Sequence, residues 1–155
     1  MEADFSKEYR GYRLDLREGN FQAADIPEID LSLARLMKVR FEGANLERAV
    51  LDRAYLSEAK LNGANLSKAS IKFARFWQAD LSGTDMEGAD LTGSGLSLMV
   101  PQVVYLSQKQ ANACFADLSV KLPTGISRPA HWASEILDYT SFSRLLQRWR
   151  DQRSS

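Results

Sequence analysis

Apolar residues recur at every fifth position from Phe21 to Leu96, and this period constrains the fold more than any other feature of the chain. A period of five fits neither the 3.6-residue turn of an α-helix nor the two-residue alternation of a strand. It fits a chain that turns a corner after each unit and brings one large side chain per unit to a common axis. These large residues are Phe21, Ile26, Leu31, Leu36, Phe41, Leu46, Leu51, Leu56, Leu61, Leu66, Ile71, Phe76, Leu81, Met86, Leu91 and Leu96.

A second column, two residues before each large residue, holds small or β-branched residues. It is alanine at every unit from Ala44 to Ala79, and then Thr84, Ala89 and Ser94. A narrow interior explains this pairing, because a large side chain that fills the centre leaves room only for a small one beside it. The sequence therefore predicts a slender solenoid built from repeated five-residue units.

The repeated units resemble the pentapeptide-repeat family, whose unit is written A(D/N)LXX. The matching units are AADI at 23–26, GANL at 43–46 and 63–66, QADL at 78–81 and GADL at 88–91, with the looser units RAYL and EAKL between them. The resemblance implies an all-β solenoid, a right-handed quadrilateral β-helix of about four coils with four units per coil. It implies no single function, because members of the family do many unrelated things.

We expect three segments along the chain. Residues 1–20 form an N-terminal cap or partial coil, residues 21–100 form the β-helix, and residues 101–155 form a helical segment for capping or dimerisation. Open ends of a β-helix expose unpaired backbone groups and must be covered. Ser107 is suited to cap a short helix through about Phe115, and a last helix is expected after Ser134.

The segment KLPTGISRPAHW, residues 121–132, is expected to be an extended loop because it carries two prolines and a glycine. Its LPxGxxRPxHW pattern is similar to the tail of a subset of bacterial pentapeptide-repeat proteins. The likeness covers about a dozen residues.

Composition indicates a cytoplasmic protein. The chain has 20 basic and 20 acidic residues, and one cysteine, Cys114, which excludes an internal disulfide framework. The N-terminal residues lack the apolar core of a signal peptide, and no apolar run is long enough to cross a membrane. The composition therefore favours neither a membrane nor a secreted location.

Stacking the units in register assigns each outward residue to one of four faces. We number the faces by their large residues: the first contains Phe21, the second Ile26, the third Leu31 and the fourth Leu36. The first-face column of Ala23, Gly43, Gly63 and Gly83 is expected to serve tight corners. Asn and Asp on the second face are expected to bond local backbone rather than a metal.

The third and fourth faces carry aromatic and basic side chains that a solvated β-helix does not need. Arg35, Tyr55 and Arg75 are predicted to share one column, close enough for arginine to stack on tyrosine. An exposed apolar patch marks a surface that is covered or bound. Either the C-terminal tail covers it, or it binds a partner or a second copy. The candidate interaction surface is Arg35, Tyr55, Arg75, Phe73, Trp77 and Arg53.

A second candidate surface lies in the C-terminal segment and serves for dimerisation or capping. Apolar residues after the last unit can either pair with a second copy or accept the terminal amphipathic helix, and the two uses compete. That helix carries arginines on its other side and is expected to dock on its own β-helix or on a symmetry mate. The surface comprises Val100, Val103, Val104, Tyr105, Phe142, Leu145, Leu146 and Trp149.

The sequence shows no catalytic or cofactor site. His131 is the only histidine, and its setting between prolines and aromatic residues indicates packing. One histidine and one cysteine cannot build a zinc site of the usual ligand type. The chain has no P-loop and no dinucleotide fingerprint. We therefore predict no enzyme, no cofactor, no metal and no small-molecule substrate.

Two functions compete. The first is a non-catalytic interaction or structural module with an unidentified protein partner. The second follows from the resemblance: some members resemble a DNA duplex and bind type II topoisomerases such as gyrase. A DNA mimic needs an acidic surface, yet residues 21–98 hold 11 acidic and 9 basic residues, a net of −2. This balance favours the first function, and nothing in it favours nucleic acid as a partner.

Overall fold

The structure, a computed structural model, describes residues 14–94, 107–116, 125–134 and 139–153. Residues 14–94 form a four-sided β-helix in which each paired residue lies 20 positions from its neighbour. Parallel pairing runs, for example, from Asp15 to Arg35, Tyr55 and Arg75 in turn. A spacing of 20 residues equals four five-residue units per coil, as the sequence predicted. The coil path already includes residues 14–20, which fall in the segment expected to form a partial coil.

Each corner of the β-helix is a tight turn. The Ala24 amide donates to the Phe21 carbonyl at 3.1 Å, and the third residue of the turn has positive φ. This is the pattern of a type II turn, which favours glycine at that position. Gly43, Gly63 and Gly83 occupy it with φ of 67°, 70° and 65°, and Ala23 with φ of 53°. The small column on the first face therefore serves the corners, as expected.

Asparagine and aspartate side chains support these corners. Asn45 Oδ1 accepts a hydrogen bond from the Glu47 amide at 3.2 Å, and Asp85 Oδ1 accepts one from the Glu87 amide at 3.0 Å. Asn45 Nδ2 also donates to Asp25 Oδ1 in the coil below, at 2.8 Å. These bonds confirm the corner role predicted for the second face.

The core is the stacked pair of inward columns. From Leu31 to Leu91 every large residue is at most 1% exposed, and the alanines between them are equally buried. Phe21 and Phe41 stack with ring centroids 5.3 Å apart. In the first coil Leu16, Phe21 and Ile26 are only half-buried. Among the described residues this coil is stacked on only one other coil, whereas an inner coil is covered on both sides.

The upper end of the β-helix is closed by polar side chains and by α1, Gln108–Ala113. Thr84 Oγ1 of the last coil donates to the Leu61 carbonyl of the coil below at 3.0 Å. Gln110 of α1 inserts above it, and its Nε2 donates to the carbonyls of Leu81 at 2.5 Å and Thr84 at 3.1 Å. Ser107 caps α1 in a capping box with Gln110.

Phe115 does not lie in α1, which ends at Ala113 rather than near Phe115 as expected. Its backbone pairs with the last coil instead. The Phe115 amide donates to the Ala89 carbonyl at 2.9 Å, and the Leu91 amide donates to the Phe115 carbonyl at 3.0 Å. The backbone groups of the last coil need partners, and pairing them outweighs two more residues of a short helix.

The second helix, α2, spans Tyr139–Arg153 and packs on this closed end. Leu146 and Trp149 are each 8% exposed and form a cluster with Phe115. Arg150 of α2 donates from Nε and Nη2 to the Gly88 carbonyl, at 3.0 and 2.7 Å. The helix was expected after Ser134, and residues 135–138 lie outside the described part.

Candidate interaction surface

Four of the candidate residues form a checkerboard at the corner between the third and fourth faces. Arg53 and Phe73 stand in the last column of the third face, and Tyr55 and Arg75 stand in the first column of the fourth. The 20-residue register places Phe73 directly above Arg53 and Arg75 directly above Tyr55. Each arginine therefore has an aromatic neighbour along its column, and we call these four residues the checkerboard.

Both columns of the checkerboard are cation–π pairs. The Arg53 guanidinium carbon lies 5.9 Å from the centroid of the Phe73 ring, and that of Arg75 lies 4.9 Å from the centroid of the Tyr55 ring. A guanidinium stacked on a ring keeps the N–H groups in its plane available for other acceptors. The pairs thus orient the arginines without using up their donors.

Phe73 holds an unusual backbone conformation for an exposed aromatic residue. Its φ is 56°, in the left-handed region that favours glycine, and its side chain is 52% exposed. The ring lies against Gly93 in the next coil, where an added Cβ would stand 2.3 Å from Phe73 Cδ1. Glycine at 93 is therefore what allows the ring to lie there. The sequence analysis did not identify this role, although the 20-residue register places Gly93 directly above Phe73.

Trp77 and Arg35 complete the predicted surface. Trp77 lies on the fourth face beside Arg75 and is 38% exposed. Arg35 stands in the same column as Tyr55, and its Nη1 lies 3.8 Å from Asp15 Oδ2. Asp15 also pairs with Arg17 at 2.6 Å, and the hydrogen bond from Arg17 lowers the pKa of this carboxyl. The sequence analysis assigned the six candidates to the third and fourth faces but missed the Asp15 carboxylate.

The described parts of the C-terminal tail pack elsewhere. Trp149 stacks on the His131 imidazole, with centroids 5.0 Å and planes 5° apart, and contacts Phe115 at a centroid distance of 5.7 Å. These contacts lie at the closed end, while Phe73 and Trp77 stay exposed. The described residues of the tail therefore do not cover the checkerboard.

The second candidate surface is divided by the structure. Leu146 and Trp149 are buried against the closed end, whereas Leu145 is 38% exposed. Phe142 lies in α2, and its side chain is outside the described part of the chain. Val100, Val103, Val104 and Tyr105 are likewise outside the described residues, so their role as a dimer or cap surface stays a prediction.

His131 and Cys114 take part in hydrogen bonds at the closed end. His131 Nε2 lies 2.8 Å from the Cys114 carbonyl, which also accepts from Trp132 Nε1 at 2.9 Å. Because a carbonyl only accepts, Nε2 carries the proton in this contact. Burial raises the pKa of the Cys114 thiol far above its usual range, which disfavours a thiolate nucleophile.

The described residues contain neither a cluster of metal ligands nor a membrane-spanning helix. Within residues 14–94, 107–116, 125–134 and 139–153, no group of three or more His, Cys, Asp or Glu side chains could hold a metal ion. None of the helices in those ranges has the length and apolarity needed to span a membrane.

Comparison with known proteins identifies the repeats. Overlapping matches at residues 15–53, 34–72, 49–88 and 69–97 fit the family model for pentapeptide repeats in eight copies. Together they cover residues 15–97, which is 83 of 155 residues. A comparison with curated proteins found no significant match.

Solved structures resemble the chain in fold. The pentapeptide-repeat protein Rfr23 of the cyanobacterium Cyanothece 51142 is 23% identical with a TM-score of 0.60, and the match covers 72% of this chain and 86% of Rfr23. A pentapeptide-repeat protein of the Arabidopsis thaliana thylakoid lumen is 25% identical with a TM-score of 0.50, covering 63% and 72%. The fluoroquinolone-resistance protein QnrB1 is 18% identical with a TM-score of 0.36, and the match covers 87% of this chain and 89% of QnrB1.

Proposed function

The chain belongs to the pentapeptide-repeat family, and from this premise we propose that it is a non-catalytic interaction module that binds a protein partner through the corner between its third and fourth faces. It shares with the family the quadrilateral β-helix. We also propose a cytoplasmic location, which the single buried Cys114 supports because disulfides are rare in reducing compartments.

One observation carries the proposal: two large apolar side chains are exposed in one coil, at the two ends of the fourth face. Phe73 is 52% exposed and Trp77 is 38% exposed. Aromatic residues and arginine are enriched among the residues that dominate binding energy at protein interfaces. Both types are present on the fourth face and at its corner with the third, namely Phe73, Tyr55, Trp77, Arg53 and Arg75. The corner also costs stability, since a bulky residue with positive φ is strained.

The alternative, a DNA-like binder of gyrase, has less support. Such a mimic needs a continuous anionic surface, about one charge per 1.7 Å along its axis. The acidic residues of the second face are partly neutralised: Glu28 pairs with Arg48 at 3.1 Å, and Glu47 pairs with Lys68 at 3.3 Å. Asp90 in the last coil is buried and does not contribute to an outer surface.

Photo-crosslinking tests the proposed function. The variant Trp77→p-benzoylphenylalanine would be purified, illuminated in a lysate of the source organism, and its adducts identified by mass spectrometry. The control is Ser67→p-benzoylphenylalanine, at the equivalent position of the second face. We expect a discrete protein adduct from position 77 that is absent from position 67.

The proposal has two specific ways to fail. Equal adducts from both positions would mean that contacts are non-specific, and no adduct from position 77 would mean that the corner meets no protein. A self-adduct from position 77 would assign the corner to a second copy instead. The variant Phe73→Ser should abolish the specific adduct if the corner acts as one surface.

A further inference from the structure

The checkerboard has a chemistry that selects among protein partners. Resting on the proposed function, we infer that Arg53 and Arg75 bind the carboxylates of an extended acidic segment of the partner, while Phe73 and Trp77 contact its apolar side chains. The site is the corner between the third and fourth faces, and the ligand class is an acidic peptide.

The first argument is the distribution of ion pairs. Residues 14–94 contain six arginines: Arg17, Arg35, Arg40, Arg48, Arg53 and Arg75. The first four each lie within 4 Å of a described carboxylate, at 2.6, 3.8, 3.3 and 3.1 Å. Arg53 and Arg75 have no ion pair among the described residues and instead stack on aromatic rings. The two arginines that lack a carboxylate are therefore the two that form the checkerboard.

The surroundings keep this corner positive. The carboxylates nearest to Arg53 along the chain, Asp52 and Glu58, are paired with lysines. Asp52 lies 3.8 Å from Lys72, and Glu58 lies 3.9 Å from Lys38. Neither carboxylate is within ion-pair distance of Arg53 or Arg75 in the described structure. An approaching carboxylate would thus meet two guanidinium groups that no carboxylate of the described residues occupies.

The second argument is preorganisation. Arginine binds a carboxylate through two parallel N–H groups, and this bidentate contact is stronger than a neutral hydrogen bond. Ordering a flexible side chain at an interface costs conformational entropy. Stacking on Tyr55 and Phe73 holds the Arg75 and Arg53 side chains before a ligand arrives. The aromatic pairs therefore reduce the entropy cost of binding.

The spacing suits an extended chain. Neighbouring coils lie roughly 4.8 Å apart, and residues two apart along an extended strand lie roughly 7 Å apart. Arg53 and Arg75 differ by one coil and one column. A peptide with acidic residues at alternate positions can place one carboxylate on each guanidinium. The side chains between them then point away from the β-helix.

Single-stranded nucleic acid is the competing ligand, since phosphates and bases also use arginines and aromatic rings. The charge of the chain disfavours it. The protein has no net charge and a pI of about 6.6, whereas nucleic-acid-binding domains are usually strongly basic. The second face adds five acidic residues against two basic ones. These are Asp25, Glu28, Glu47, Asp85 and Glu87 against Arg48 and Lys68.

A titration with defined probes tests the inference. The probe is a short fluorescein-labelled peptide that alternates glutamate and valine, and its glutamine counterpart is the negative control. The test variant is Arg53→Gln/Arg75→Gln. The matched control is Arg48→Gln/Arg40→Gln, which removes two arginines from the same two positions of the repeat unit on other faces. Arg48 and Arg53 even share a φ of 59°.

We expect saturable binding of the glutamate peptide to the wild type, weakened about tenfold or more in the test variant and less than about twofold in the control. Circular dichroism and melting temperature should show that both variants fold. Absence of saturable binding up to about 1 mM, or equal loss in both variants, would overturn the inference. Binding of oligothymidylate that is lost in the test variant alone would assign the corner to nucleic acid.

The two proposals fail separately. If position 77 gives its specific adduct but the glutamate peptide does not bind, the corner is an interaction surface and only the acidic ligand class is wrong. If position 77 gives no protein adduct, the proposed function itself is wrong.

Discussion

The Trp149 indole stacks on the His131 imidazole, with ring centroids 5.0 Å apart and planes within 5° of parallel. The two residues belong to segments that follow the repeats, and both contact Phe115, whose backbone pairs with the last coil. The stack therefore joins α2 to the end of the β-helix. This joint closes one end of the molecule and leaves the checkerboard corner uncovered.

Removing the joint should destabilise the protein. Trp149→Ala deletes a side chain that is 8% exposed and packs on Phe115 and His131, so we expect a loss of about 3 kcal/mol or more. Leu145→Ala is the control in the same helix, because Leu145 is 38% exposed and should cost less than about 1 kcal/mol. Urea denaturation measures both. Equal losses would contradict the packing of α2 described above.

The corners give a prediction about backbone alone. Gly43 has φ of 67°, and an added Cβ meets no atom within 4 Å, so Gly43→Ala creates no clash. It should nevertheless cost about 1 kcal/mol, because a left-handed conformation is unfavourable for alanine. The reverse change in the same column, Ala23→Gly at φ of 53°, should have the opposite sign or no effect. Denaturation midpoints that fall for both variants would contradict this explanation.

The buried carboxyl of Asp90 predicts that the stability of the folded protein depends on pH. Burial raises its pKa above the ordinary value of 3.8, against the opposing hydrogen bonds from Thr92. The folded state then binds more protons than the unfolded state between the ordinary and the raised pKa. The contribution of Asp90 to stability is therefore fully present below pH 3.8 and is lost as pH rises through the raised pKa.

Asp90→Asn isolates this effect, because its Oδ1 can still accept from the Thr92 amide and hydroxyl, which lie 3.0 and 2.7 Å from the present carboxylate oxygen. We expect the melting temperature of the wild type, relative to the variant, to fall as pH rises above about 4. The lowered pKa of Asp15 acts equally in both proteins and cancels. A relative melting temperature that rises with pH would contradict the assignment.

The mixed charge of the outer faces predicts no protection of gyrase. Purified gyrase should supercoil DNA equally well with and without this protein, and a quinolone should inhibit it to the same extent. A concentration-dependent recovery of supercoiling in the presence of the drug would support the DNA-mimic alternative. It would also show that the ion pairs of Glu28 and Glu47 do not neutralise the second face enough to prevent mimicry.

The repeats could be predicted from the sequence because a fixed period transfers one local rule to every coil. Once Leu46 and Ala44 are assigned inward, the 20-residue register also assigns Leu66 and Ala64. The same register also assigns Tyr55 and Arg75 to one column. Periodicity thus fixed the positions of the candidate residues but not the orientation of their side chains.

The closed end could not be predicted in detail because the period stops there. Gln110 is one of many polar residues in an unremarkable helix, and only the structure places its amide on the carbonyls of Leu81 and Thr84. Phe115 was expected to end α1, yet it pairs with the last coil. The sequence has no local signal for this pairing, since it depends on which backbone groups of the last coil remain open.

The molar mass in solution tests most directly the claim that the tail closes its own β-helix and leaves the checkerboard corner free. Light scattering on a sizing column would compare the full chain with a 1–133 truncation, which lacks α2. We predict a monomer of 17.4 kDa for the full chain and association of the truncation, because Phe115 loses its cover. A dimeric full chain together with a well-behaved monomeric truncation would contradict the account, since α2 would then be an interface between copies.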